Sequence, residues 1–152
     1  MHPVSPAVFS TLSLLTPCDV NLSKQRVGND RDGAYIIVDS DPSVDILSFG
    51  ISNDVGFERD MASLGHRAFM FDHTISAAPD NHELFLFHKL GICASGQPEE
   101  NLRTLEEHIY SIADLSERLI LKIDVEGYEW AVFAQLDPKT LARFDQILVE
   151  FR

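Results

Sequence analysis

The chain has 152 residues, 24 acidic and 12 basic, for a formal net charge of −12. That length fits one domain, and a hydrophobic share of 45 % excludes a disordered tail. A surface this anionic is repelled by phosphate backbones and anionic membrane faces, which argues against nucleic-acid and membrane partners.

Residues 1–16 carry no Lys or Arg ahead of their apolar positions, and the first such cation is Lys24. A secretory signal would want one. No apolar run reaches the roughly 18 residues of a membrane span. Cys18 and Cys93 form neither a disulfide framework nor a CxxC pair, so a reducing, cytoplasmic setting is expected. The segment reads instead as a short amphipathic helix docked on the surface. Ser5 is placed to cap it, Pro6 suits its first turn, and Val8, Leu12 and Leu15 share a face. Residues 1–32 serve as helix and lead-in to an α/β core over 33–152, the whole forming one domain.

Strand-like runs follow at 34–39, 45–51 and 66–72. Between the last two, Phe57, Met61 and Leu64 fall at helical spacing, and Gly65 is placed to end that helix. Residues 76–81 form a loop and 84–92 another strand-like run. Only residues 73–83 separate the third and fourth runs, too few for an ordinary helical crossover, so an irregular connection is expected. A linker of turn residues spans 95–101. Thr104 and Glu107 make a capping-box pattern ahead of a helix with Leu105, Ile109 and Ile112 on one face. The most apolar strand covers 118–125. A buried-looking helix spans 128–136, with Trp130 and Phe133 as core. Asp137 and Pro138 open a short helix to about Ala142, and 146–151 is the last strand. Strands alternating with helices point to a mostly parallel sheet with helices on both faces. The runs 118–125 and 146–151 both lack polar alternation, as strands buried on two sides do.

Ligands of such sheets bind beyond the carboxyl ends of the strands, where strand order reverses. Those ends carry Gly50-Ile51-Ser52-Asn53-Asp54, Asp72-His73-Thr74, Asp124-Val125-Glu126-Gly127 and Glu150. Asp72, Asp124, Glu126 and Glu150 converge on one rim, where mutual repulsion calls for a cation, a hydroxyl-rich ligand or many hydrogen bonds. Gly50 permits close backbone approach and precedes a helix N-terminus, although it reads equally as a turn glycine. Asp72 lies 22 residues on, at the end of the next strand. An acid at that place grips a ribose diol in nucleoside-binding sheets, and it reads equally as a turn cap.

The segment from Leu121 to Trp130 resembles the LKIDVEG-x-E signature of the FkbM-like methyltransferases. Asp32–Ile36, Ser48–Asp54 with Phe57-Glu58, Phe71–Thr74, Phe87–Gly91 and Gln146–Phe151 are similar to further family stretches in the same order. The match runs from about Arg26 onward. Ala34 and Ser52 stand where the family has glycines. The resemblance implies a Rossmann-like methyltransferase fold and S-adenosylmethionine as cofactor. It implies that Gly50, Ile51 and Ser52 pack on the cofactor's methionine part and that Asp72 binds its ribose hydroxyls. Gly91, Ile92 and Cys93 would lie near the adenine, and Asp124 would border the sulfonium and the acceptor. Such sheets usually carry two more strands after the one ending at Glu150. An edge left exposed there would favour homo-oligomers.

An alcohol acceptor needs a base, and the candidates are Asp124, Glu126 and His73, with His88 behind them. Bland roles compete: Glu126 as a helix cap, His73 as a partner of loop backbone, His88 as a core or edge histidine. The acidic rim could hold a divalent cation, but no dedicated metal motif is spelled. The leading expectation is methyl transfer to oxygen on a small molecule or sugar. The alternative is a catalytically inactive methyltransferase-like domain used for binding or assembly.

Overall fold

The computed structural model describes residues 5–30, 33–95 and 100–152. Expectations for residues 1–4, for Asp32 and for the 96–99 part of the linker fall outside these. In chain order the elements are α1 (Pro6–Ser13), β1 (Lys24–Val27), β2 (Tyr35–Val38), β3 (Asp45–Phe49), α2 (Gly56–Ser63), β4 (Ala68–Phe71) and β5 (Phe85–His88). After them come β6 (Gly91–Ile92), β7 (Leu102–Arg103), α3 (Leu105–Ser111), β8 (Leu119–Ile123), α4 (Glu129–Phe133), α5 (Pro138–Leu141) and β9 (Phe144–Val149).

Five strands form a parallel sheet in the order β5-β4-β3-β8-β9. The chain runs outward from β3 to β5, then returns to lay β8 on the other side of β3. The order therefore reverses between two adjacent strands, β3 and β8. Both are buried along their whole length, as their unbroken apolar character requires. One face carries Leu47, Phe49, Leu121 and Ile123 against Leu105 and Ile109 of α3 and Val132 of α4. The other carries Ile46 and Ile120 against Phe57 and Met61 of α2. Helices thus cover both faces, as expected. Truncating a side chain such as Leu121, wholly buried at the sheet centre, would cost about 2–5 kcal/mol.

Local signals account for the helix ends. Thr104 accepts from the Glu107 amide and Glu107 accepts from the Thr104 amide, completing the capping box. Asp137 caps α5 through the Lys139 amide, with Pro138 in the first turn. Ser5 accepts from the Val8 amide at 3.3 Å. The connection from β4 to β5 contains no helix. Its Ile75 and Ala78 pack beside Phe85 and Phe87 and cover that part of the sheet themselves.

Several expectations need correction. The 34–39 run is a strand, β2, but it pairs antiparallel with β1 outside the main sheet. Only Val27 of the polar β1 stretch is buried, so β1 carries no apolar signature. This hairpin packs Val27 and Ile37 over α2's face of the sheet. Its Val38 is held to β9 by one side chain. The Gln146 amide accepts from the Val38 N–H at 2.8 Å and donates to the Val38 carbonyl at 2.9 Å. The 84–92 run is two strands, because Gly91 and Ile92 leave the sheet to pair with β7. β9 is a half-exposed edge strand rather than one buried on two sides. Val8 and Leu15 are exposed instead of docked. Helix α4 is only five residues long, and Trp130 is 60 % exposed, stacked on Phe151 rather than buried in the core.

Candidate functional site

A cleft of about 520 Å³ opens at the carboxyl ends of β3, β4 and β8, over the point where strand order reverses. Three loops build it, and charged side chains hold each one.

The first loop leaves β3 at Gly50. Gly50 has φ of 77°, and a Cβ there would stand 1.7 Å from the Asp124 carbonyl oxygen. Glycine is required because the β8 loop passes against it, so the close approach is made by the chain's own backbone. Two residues on, Ser52 also sits in the left-handed region, at φ of 46°. A non-glycine residue there bears about 1 kcal/mol of strain. The Asp72 carboxylate offsets it by accepting from the Ser52 amide at 2.8 Å. Asp54 accepts from the Gly56 amide at 2.7 Å and from the Asn29 side chain, tying the lead-in to the start of α2.

The second loop follows β4. Asp72 is buried, and its other oxygen accepts from the Thr74 amide at 2.8 Å and the Thr74 hydroxyl at 2.6 Å. Burial alone would raise its pKa. The bonds from Thr74 and Ser52 outweigh that, and the carboxyl is held below its ordinary value. The next residue, His73, is exposed and leans on Gly91, where a Cβ would lie 2.5 Å from its Nδ1.

The third loop follows β8. Here Glu129, fully buried, accepts from the Val125 amide at 2.8 Å and the Gly127 amide at 2.9 Å. That fixes Glu126 at φ of 58° and Gly127 at 106°. Glu126 is exposed and pairs with Arg152 at 2.6 Å. Asp124 is half-buried, and no side chain among the described residues hydrogen-bonds its carboxylate. Burial pushes its pKa up, Lys122 opposes, and Glu150 and Glu126 reinforce the rise.

Beneath the first loop lies a buried charge pair. Lys122 is 5 % exposed and donates to the Gly50 carbonyl at 3.0 Å. Its Nζ is 4.0 Å from the buried carboxylate of Glu58, which also accepts from the Ser48 hydroxyl. Ser48 and Lys122 are register partners across β3 and β8.

Of the residues singled out from the sequence, Gly50, Ile51, Ser52, Asp72, His73, Gly91, Ile92, Asp124 and Glu126 all border this one cleft. Cys93 does not. It is buried and lines a separate cavity of about 200 Å³ beside α3. Glu150 stands behind the rim, bonded to Arg152. His88 lies at the sheet edge, stacked on Phe71 at 5.0 Å, and burial lowers its pKa. Among the described residues no group of three or more His, Cys, Asp or Glu is arranged to hold a metal ion. No helix among them is long and apolar enough to cross a membrane.

Sequence reasoning missed Lys122 and Glu129. The first has a legible signal, a lone cation inside the apolar run LILKI. The second is an acid two residues after a glycine, and only the folded loop reveals that it receives the amides. It holds the loop ahead of α4 rather than capping it, and α4 has no side-chain cap, so the capping role considered for Glu126 is not filled.

A cleft at the switch point of an open parallel sheet is the ligand site of α/β proteins. The chain belongs to the methyltransferase FkbM domain family, whose model matches residues 23–152. No curated protein and no solved structure was found to match it.

Proposed function

We propose that this domain is an S-adenosylmethionine-dependent methyltransferase acting on an oxygen of a small molecule or sugar. The observation that carries the reading is that Gly50, Asp72 and Asp124, from three different strands, share one cleft. The cleft's volume suits a nucleoside cofactor. Its carboxylates suit ribose hydroxyls and a cationic sulfonium, so the residues present fit the group.

When bound, S-adenosylmethionine supplies a methyl group already activated on sulfur. The protein's part is alignment and the removal of a proton. Asp72 keeps one acceptor position beyond its three internal bonds and would bind the ribose. Ile51 and Ser52 line the methionine end, and Gly91 and Ile92 the adenine end. Asp124 takes the proton of the acceptor hydroxyl. An ordinary aspartate, with pKa near 3.9, is a weak base for that purpose. The upward push at Asp124 makes it a better one. Activity then falls as pH drops through the raised pKa and Asp124 becomes protonated. Two copies pairing through the edge of β9, unpaired among the described residues, belong to the same reading, and sedimentation velocity tests that part.

Isothermal calorimetry with S-adenosylmethionine and S-adenosylhomocysteine tests the cofactor. Heat of binding from both is expected, and none from either, on folded protein, overturns the reading. Asp124→Asn should lower turnover on an accepted hydroxyl compound by about a hundredfold while leaving cofactor affinity unchanged. The second reading, a binding domain without transfer, is favoured by the engagement of Asp72 with Ser52 and Thr74. Absence of methyl transfer to hydroxyl compounds from folded protein with S-adenosylmethionine bound would support it.

A further inference from the structure

We propose that Lys122 is a positioning residue: its buried ammonium, bonded to the Gly50 carbonyl, holds the left-handed Gly50–Ser52 turn in place. This rests on the reading that the turn faces the cofactor. It goes beyond that reading by assigning a role to a side chain the chemistry does not use.

A cation inside a wholly buried strand is costly unless it is paired and hydrogen-bonded. An apolar residue would pack at this position without that penalty. Lys122 is tolerated because Glu58 lies 4.0 Å away and the Gly50 carbonyl accepts from it at 3.0 Å. The contact point is informative. Gly50 has φ of 77°, outside the extended backbone of β3. The Gly50 amide is bonded back to the Phe71 carbonyl at 3.0 Å. The turn is therefore clamped at two points by opposite charges. Lys122 holds the carbonyl at Gly50, and Asp72 holds the amide at Ser52. Between the clamps the Asp54 amide donates to the Ile51 carbonyl at 3.0 Å, closing the turn. Each clamp comes from a strand neighbouring β3, β8 on one side and β4 on the other. Bonds to a charged group are the strong ones, and both clamps are of that kind.

The test compares Glu58→Gln with the double variant Lys122→Met, Glu58→Gln. The double variant keeps core volume and leaves no unpaired buried carboxylate. Hydrogen exchange is read at the Ser52 and Asp54 amides, with the Ile46 amide as a strand control. In the double variant the two turn amides should exchange roughly tenfold to hundredfold faster, with the control unchanged. S-adenosylmethionine affinity, measured by calorimetry, should fall by a comparable factor. In Glu58→Gln the Lys122 bond remains but the ammonium loses its counter-charge, so stability should fall while turn exchange relative to the Ile46 control matches the wild type. A folded double variant with wild-type turn exchange overturns the proposal, as does acceleration equal at turn and control, which indicates packing alone. Should the double variant not fold, nitrogen-15 spectra of the wild type decide. A slowly exchanging Lys122 ammonium signal coupled to the Gly50 carbonyl carbon is expected, and its absence overturns the proposal. Failure of the wild type to bind S-adenosylmethionine sinks the methyltransferase reading instead, and the exchange data still judge Lys122.

Discussion

The two ends of the central sheet treat charge differently. At the amino end, Asp45 is buried and faces Arg67, which donates through Nε at 2.8 Å and Nη2 at 2.7 Å. The Ser116 amide adds a third donor at 2.8 Å. Arg67 also reaches the Asp114 carbonyl and lies over the Phe69 ring. Both charges of this pair have their partners within the protein. At the carboxyl end the carboxylates of Asp72 and Glu129 bond backbone amides and fix loops, while Asp124 faces the cleft with no hydrogen bond to its carboxylate among the described residues. One end closes the fold; the other holds its loops still and leaves one acid available. The contrast teaches that the location of a carboxylate matters less than what meets it.

Four experiments break or sharpen this contrast. Arg67→Ala strikes the closed end and strands Asp45. A loss of about 3 kcal/mol or more is expected in urea unfolding, with cofactor affinity unchanged. The second concerns His108, buried under the open end against Phe71, with Nε2 donating to the Gly91 carbonyl at 3.0 Å. Burial lowers its pKa from 6.5 to about 4. The unfolded chain therefore takes up its proton first, so stability is full above pH 6.5 and is lost as pH falls toward about 4. The loss amounts to about 3 kcal/mol. Urea midpoints across that range, with NMR titration of the His108 ring, check this. Third, Asp72→Ala should weaken S-adenosylmethionine binding by about 1.5–3 kcal/mol, read by calorimetry, if its carboxylate holds the ribose. Smallest, Ser52→Gly should relieve the left-handed strain and stabilise the fold by up to about 1 kcal/mol, seen as a raised melting midpoint.

Much of the fold was legible because local patterns and tertiary packing agree. The apolar runs at 45–49 and 119–123 became the buried centre of the sheet, and Thr104 with Glu107 capped a helix as the spacing required. Legibility failed where only tertiary pairing decides. The Lys24–Val27 stretch is polar and becomes a strand because Tyr35–Val38 is beside it. Gly91 and Ile92 look continuous with the preceding strand but are drawn to Leu102 and Arg103. At the site, sequence position found several residues that border the cleft, since strand ends are predictable, but it missed Lys122 and misplaced Cys93. It could not tell the acid that faces the cleft from the acids that hold backbone. Asp72 and Glu129 differ from Asp124 in their burial and in the amides the loops bring to them.

The Gln146 side chain has a mechanical consequence. A side-chain amide stands in for a peptide group, meeting Val38 through donor and acceptor together. The hairpin is thereby latched to the outermost strand by a two-pronged clasp rather than by a continuous ladder. Pulling the hairpin away ruptures both prongs at once, so it should detach abruptly as a unit instead of fraying. Gln146→Glu would swap the donor prong for a second acceptor facing a carbonyl, turning the clasp into a wedge.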